Sequence, residues 1–333
     1  MNMPTVMARL RETRPDMVLK VLVILAAVLA PLIVHSPYTL RVLTLAVEYA
    51  LVVMSYDIMI GHLGVLSLCQ NLFWGLGGYV SALLVARAGF PWLSGFLLAG
   101  IAAVVMAVVV GIPALTLSYH SFAICTLAFS VSTFIVVRHL DFVGGDTGVF
   151  GVPRPEVFGF KLHTSVELYY LILAITLTSA VIIHMILRSR FGRTLAAIKG
   201  DEVLAKTIGI SPKRLKLYGL MISAFFAGLA GSFHVHLNTI ATPTLFDFQY
   251  ITLFLIMVIL GGKGSMWGVA LGAVAFTFVP EILRIAQIWR DVIYGVVLLV
   301  TIVFLPGGLI QIPERIRALV RRRDATTVTR GQV

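Results

Sequence analysis

Residues 91–111 read Pro91-Trp92-Leu93-Ser94-Gly95-Phe96-Leu97-Leu98-Ala99-Gly100-Ile101-Ala102-Ala103-Val104-Val105-Met106-Ala107-Val108-Val109-Val110-Gly111, without one Asp, Glu, Lys or Arg. A helix needs about 20 mostly apolar residues to cross the hydrocarbon core of a bilayer, and this run supplies them. Working outward, comparable runs cover 18–34, 40–60, 64–87, 113–137, 166–187, 214–238, 248–262, 264–284 and 288–306. Two pairs are barely separated: 91–111 meets 113–137 at Gly111-Ile112-Pro113, and 248–262 meets 264–284 at Gly261-Gly262-Lys263-Gly264. The expectation is an all-α, polytopic membrane protein of about ten transmembrane helices.

Composition excludes the other classes. Of 333 residues, 59% are hydrophobic and 12% charged, with a mean hydropathy of +0.98. A soluble domain carries about 25% charged residues, so no ordinary core could hide this much apolar surface behind so thin a polar shell. Disordered, collagen-like and disulfide-scaffold readings fail on the same numbers. The two cysteines, Cys69 and Cys125, lie inside apolar runs and read as buried free thiols.

The excess of cations, 26 Lys+Arg against 15 Asp+Glu, is explained by topology rather than by nucleic acid. Cytoplasmic loops collect Lys and Arg. With ten crossings and both termini cytoplasmic, only Arg41, Arg87, Arg138, Arg154, Lys161, Arg284 and Arg290 fall outside. The chain then divides into a cytoplasmic segment 1–17, a transmembrane body 18–310, and a basic cytoplasmic tail 311–333. The body carries an outer loop, 138–165, and an inner one, 188–213. The basic start resembles a signal peptide, but its apolar run is long for one and lacks a clean cleavage site; it is read as the first span.

Familiar catalytic patterns are missing. Gly262-Lys263 is followed by Gly264 and lacks the upstream Gly of a phosphate loop. His234 and His236 are two apart, so on a helix they diverge and cannot share a metal. No Ser/His/Asp grouping assembles, and no cofactor or metal is expected. Glu48 and Asp57 are ionisable groups within a span, where each is costly. They are either bundle-facing carboxylates bonded to neighbouring helices or an ion or substrate site; the latter would suit an ion-coupled secondary transporter.

Three glycine-rich regions are more specific. In Gly61 to Tyr79, Ser67, Gln70 and Asn71 place polar groups beside Gly75 and Gly77, which suits either a broken helix lining a pathway or tight helix packing. Gly261, Gly262 and Gly264 interrupt a second apolar stretch in the other half of the chain, a hint of internal repetition. In the inner loop, Asp201 is an N-cap, Gly209 a stop and Pro212 follows, which predicts a short helix over 202–208. A helix this short needs something to pack on: a partner's groove, the chain's own helix ends, or the headgroups.

In sequence order, Leu66 to Tyr79, Gly144 to Pro153, Gly192 to Gly209, Ser223 to Gly231, Val258 to Gly268, Pro280-Glu281 and Leu305 to Leu309 resemble motifs of one family. It is the LivM-like permease subunit of branched-chain amino acid ABC importers. The resemblance implies a transmembrane subunit of an ATP-driven importer of leucine, isoleucine or valine in the bacterial inner membrane. It further implies a second homologous permease, two cytoplasmic ATPases and a periplasmic binding protein, and no ATPase site in this chain. Importers of urea or short-chain amides share much of the pattern and remain the alternative cargo. On this reading Arg193, Lys199, Asp201, Glu202, Val203, Leu204, Lys206 and Gly209 form the coupling element, with Glu202 and Arg193 as polar anchors and Val203 and Leu204 as apolar ones. Ser67, Gln70, Asn71, Gly75, Gly77, Gly261, Gly262 and Gly264 serve the pathway or packing. Gly144, Gly145, Asp146 and Gly148 serve an outer contact with the binding protein. Cys69, Asn71 and Trp74 depart from the family pattern, which would narrow a pathway lined by them.

Overall fold

A computed structural model describes residues 23–34, 36–157, 159–282, 295, 296 and 299. Its helices are α1 (Val23–Ile33), α2 (Pro37–Asp57), α3 (Gln70–Ala86), α4 (Trp92–Ala114), α5 (Tyr119–His139), α6 (Ser165–Arg188), α7 (Arg190–Gly200), α8 (Glu202–Thr207), α9 (Pro212–Asn238), α10 (Phe248–Gly261) and α11 (Met266–Ile282). Local chemistry sets several of the starts. Pro37 and Pro212 begin α2 and α9, where the missing N–H costs nothing. At the start of α6, the Glu167 carboxylate accepts the N–H groups of His163 and Thr164 at 2.9 and 3.0 Å.

Helices α2 and α9 form the middle of the bundle, and α9 packs against α3, α4 and α2. Small residues permit the approach: a side chain at Gly77 would strike the backbone of Gly228, and one at Gly231 the carbonyl of Trp74. Helices α5 and α6 keep most of their apolar surface outward, with Ile124, Ile135, Val181 and Met185 all exposed.

Among the described residues, five helices are long and apolar enough to cross a membrane: Pro37–His62, Trp92–Ala114, Tyr119–His139, Ser165–Arg188 and Pro212–Asn238. Helices α3, α10 and α11 are shorter, at 17, 14 and 17 residues. The first expected span lies partly, and the one at 288–306 almost wholly, outside the described residues. So do the segment 1–17, the tail 311–333 and the Leu305–Leu309 motif.

Two expectations are corrected. The run 64–87 is not one helix: a π-turn at Ile58–His62 ends α2, the chain extends through 63–69, and α3 begins only at Gln70. Freed backbone groups there find side chains, as the Leu68 N–H donates to Thr126 Oγ1 at 2.9 Å and the Tyr56 hydroxyl donates to the Ser67 carbonyl. Pro113 does not open the fifth span but sits inside the last turn of α4, and the break falls at 115–118. Beside the helices, Val149–Phe150 pairs with Ile240–Ala241 and Glu156–Val157 with Phe160–Lys161, both antiparallel.

The connections segregate to two ends. The 58–69 break, the 115–118 turn, the α7–α8 loop and the 262–265 turn gather at the Asp57 end of α2. The 87–91 turn, the 140–164 loop and residues 239–241 gather at the Pro37 end.

Candidate functional site

The two glycine interruptions meet. Gly264 and Gly262 adopt positive φ of 87° and 103° in the α10–α11 turn, conformations natural to glycine. The Gly264 N–H then donates to Asp57 Oδ1 at 2.8 Å, across 207 residues of sequence. Gly61 lies between them, and a methyl group there would strike the Asp57 carboxylate and the Gly264 nitrogen. Lys199 reaches in from α7 and donates to the Gly61 carbonyl at 2.5 Å, while His62 Nδ1 sits 3.5 Å from Asp57 Oδ2. Gly261 packs against the backbone of Gly268 and Val269 on α11. Asp57 is thus a buried carboxylate bonded to a neighbouring turn.

The inner loop holds one helix more than expected. Helix α7 starts where Ser189 Oγ accepts the Phe191 N–H at 3.1 Å, and buries Gly192, Leu195 and Ile198. The spacing of Phe191, Leu195 and Ile198 carried that signal in the sequence. Asp201 then caps α8, its Oδ1 accepting the N–H groups of Val203 and Leu204 at 2.8 and 3.0 Å. At the far end the Ile210 N–H reaches the Ala205 carbonyl and the Gly209 N–H the Lys206 carbonyl, each at 3.1 Å. With Gly209 at φ +85°, this is a Schellman closure.

Within that loop the named residues divide by task. Val203, Leu204 and Ile208 are 70%, 63% and 69% exposed. Glu202 turns back into the protein, with its carboxylate 2.6 Å from Lys216 Nζ on α9 and 3.3 Å from Lys206 Nζ. The hydrogen bond from Lys216, aided by both ammonium charges, holds the Glu202 carboxyl below the usual carboxylate range. Arg193 Nη1 makes a long bond, 3.4 Å, to the Arg188 carbonyl. Lys199 and Glu202 therefore hold the loop to the bundle, Asp201 and Gly209 close the two ends of α8, and the exposed apolar residues of α8 project from it.

The polar residues at the start of α3 are buried and mutually bonded. Gln70 donates to Ser55 Oγ at 3.0 Å and accepts from Ser223 Oγ at 3.1 Å. Asn71 donates to the carbonyls of Phe246 and Asp247 at 2.8 and 3.2 Å and accepts from Ser130 Oγ at 2.8 Å. Ser67 Oγ lies 3.2 Å from Cys69 Sγ. Gly75 admits the Phe246 ring, which a Cβ there would meet at 2.8 Å. Asn71, unusual by resemblance, thus pins α3 to α5 and to the turn before α10.

Trp74, the other departure, serves Glu48. Its indole N–H donates to Glu48 Oε1 at 3.1 Å, and His234 Nδ1 lies 3.0 Å from both carboxylate oxygens. His234 Nε2 faces the Asn238 amide at 2.9 Å, and Arg41 Nη2 donates to Asn238 Oδ1 at 2.7 Å. Tyr49 and Phe254 enclose the group, with ring centroids 6.3 and 5.5 Å from that of Trp74. His236 points elsewhere, to Ser81 Oγ at 2.9 Å and the Pro153 carbonyl at 2.6 Å. Glu48 is a fully buried carboxylate tied to α3 and α9.

In the outer loop, Gly144, Gly145 and Gly148 take φ of 93°, 55° and 83°. Gly148 lies against the Ala241 carbonyl, where a side chain would not fit. Asp146 pairs with Arg138 at 2.6 Å, with both side chains exposed. The large exposed groups of this loop are Phe142, Phe150 and Phe160, which the sequence reading did not single out.

A bundle of long apolar helices, with its buried carboxylates bonded internally and a capped helical element projecting from one end, defines a multi-pass membrane protein of the permease type. The chain belongs to the branched-chain amino acid transport system / permease component family, whose pattern it matches over residues 38–302. It is similar to the high-affinity branched-chain amino acid transport system permease protein LivM of Escherichia coli strain K12, 27% identical over 296 residues, covering 82% of this chain and 70% of that one. The probable branched-chain amino acid transport permease protein LivM of Methanocaldococcus jannaschii is 26% identical over 286 residues, 76% of this chain and 81% of its own. The permease protein LivH of Escherichia coli K12 is 23% identical over 292 residues, 81% of this chain and 94% of its own. No solved structure matches the chain.

Proposed function

We propose that this chain is one of the two permease subunits of an ATP-driven ABC importer for leucine, isoleucine and valine in a bacterial inner membrane. It would span the bilayer ten times with both termini cytoplasmic, the transmembrane body occupying 18–310 and the basic tail 311–333. The Asp57 end, where the α7–α8 loop lies, faces the cytoplasm, in keeping with the eight cations from Arg188 to Lys216. Two separate ATPases hydrolyse ATP there. The similarity to both LivM and LivH supports a second, homologous permease as the other half of the pathway.

The observation that carries the reading is the exposure of Val203, Leu204 and Ile208 on a helix capped at both ends and fastened by Glu202 to Lys216. Apolar side chains held out from a membrane body fit a protein groove. Helix α8, with α7 behind it, is the coupling element: closure of the ATPase dimer pushes α8, and Lys199 carries the movement to the break at Gly61. The periplasmic binding protein meets the outer loop 138–165, where Gly144, Gly145 and Gly148 shape the turn and Asp146 stays exposed.

The test is to tag the chain, extract it gently from native membranes and identify its companions. A second permease and an ATPase in comparable amounts are expected. A solitary, stable protein would overturn the reading and favour an ion-coupled carrier.

A further inference from the structure

We propose that the cavity between α8, α9 and the 115–118 turn binds the phosphate headgroup of an anionic phospholipid. The proposal takes from the function above only that this end is cytoplasmic. The cavity measures about 480 Å³, and three of its lining residues are Lys206, Lys213 and Lys216, against the single acid Glu202. That acid is spent on Lys216 and Lys206. Lys213 has no ion pair or side-chain hydrogen bond among the described residues and is exposed, so the site keeps a positive surplus.

A second feature points the same way. Ser118 caps α5 without a side-chain bond to a first-turn backbone N–H, its Oγ lying 2.9 Å from Ser121 Oγ, and Ser118, Tyr119 and Phe122 line the cavity. The opening turn of a 21-residue helix thus lines the same cavity as the lysines, and such a terminus favours an anion.

The opposite wall is apolar and includes Val65 and Leu117. Leu117 is 47% exposed beside it, and Tyr119 52%. Cationic groups on one side and exposed apolar side chains on the other fit an amphiphile, whose acyl chains continue along the outward apolar face of α5. A free phosphate would leave that wall unused. Basic pockets between helix ends on the cytoplasmic side suit such headgroups. The bound lipid would cover Val203, which lines the cavity, and brace the back of α8 while Leu204 and Ile208 stay free for the ATPase.

The experiment uses the full chain with whatever subunits copurify, in phosphatidylcholine nanodiscs doped with phosphatidylglycerol, read by native mass spectrometry of retained lipid. Wild-type protein is expected to retain phosphatidylglycerol over phosphatidylcholine, and excess inorganic phosphate is expected not to displace it. Lys206→Gln with Lys213→Gln should weaken retention by about fivefold per lysine, whereas Lys161→Gln at the other end leaves it unchanged. Lys213→Gln alone removes no hydrogen bond seen in the fold, and it should weaken retention about fivefold in protein that stays monodisperse. Equal retention in wild type and double variant, or no preference over phosphatidylcholine, overturns the proposal. Displacement by inorganic phosphate overturns the lipid as the source and assigns a free anion. None of these readouts depends on transport, and Lys213→Gln lies outside the coupling element.

Discussion

Lys199 Nζ donates to the Gly61 carbonyl oxygen at 2.5 Å, fastening α7 of the inner loop to the break between α2 and α3. It is a charge-assisted bond to a carbonyl in the π-turn that ends α2, and such bonds are worth about 1.5–3 kcal/mol. If the loop transmits ATPase movement, this is where it enters the membrane body. Lys199→Met should leave the chain inserted and the complex assembled, while uptake falls about tenfold, corresponding to about 1.4 kcal/mol of lost coupling. ATP hydrolysis should persist. Uptake and hydrolysis measured together in proteoliposomes check this, and a proportional fall in both would point to lost assembly instead.

Gly61 itself tolerates no side chain. A Cβ there would strike the Asp57 carboxylate, which the Gly264 N–H holds in place, and the backbone nitrogen of Gly264 itself. Gly61→Ala should therefore break the Gly264-to-Asp57 bond or displace the α10–α11 turn, at about 1–3 kcal/mol for overpacking. Thermal unfolding in detergent should show a clear drop in Tm, while Gly159→Ala, whose would-be Cβ meets nothing within 4 Å, should lower it less, through its φ of +85° alone.

How much of this was legible beforehand depended on distance along the chain. Helix α8 was readable because its signals are local: Asp201, Gly209 and Pro212 span twelve residues, and each acts through its own backbone. The glycine richness at 61–79 and 261–264 announced irregular backbone, but nothing local says that Gly264 bonds Asp57. Trp74 read as an oddity that narrows a pathway; its partner Glu48 lies 26 residues away and their shared His234 186 residues from Glu48. Glu202 read as an anchor for another protein because Lys216, on the next helix, was not recognised as its partner. The start of the 64–87 span was misplaced for a related reason. Hydropathy registers apolar length, not whether side chains such as Thr126 satisfy a broken backbone, so 64–87 looked continuous.

The Glu48 group separates two views of the bundle. Its carboxylate has no exposure and receives the Trp74 indole N–H. Trp74→Phe removes that donor from a buried acceptor and should cost about 1–3 kcal/mol of stability. Glu48→Gln keeps the shape and can still accept from Trp74. If the carboxylate is structural, this variant should retain ATP-driven uptake within about threefold, near 0.6 kcal/mol. An ion-coupled carrier that used Glu48 would lose uptake altogether, which a radiolabelled leucine assay distinguishes.

The anchor of α8 should fail in acid. The Lys216 and Lys206 ammonium groups hold the Glu202 carboxyl below its ordinary 4.5, so the folded protein binds that proton less readily than an unfolded chain. For a depressed carboxyl, the stabilisation is complete above the unfolded value and is lost as pH falls through the folded one. A spin label at Thr207→Cys should report an immobile α8 from pH 8 to about 5, then loosening below the ordinary carboxylate range. Glu202→Gln should show the loose signal at neutral pH. Leu204→Asp should leave the label immobile, because Leu204 is exposed and holds nothing within the chain, yet it should abolish binding of the ATPase. A loose label in Leu204→Asp would mean that α8 packs on its own protein through its apolar face, against the exposure seen here.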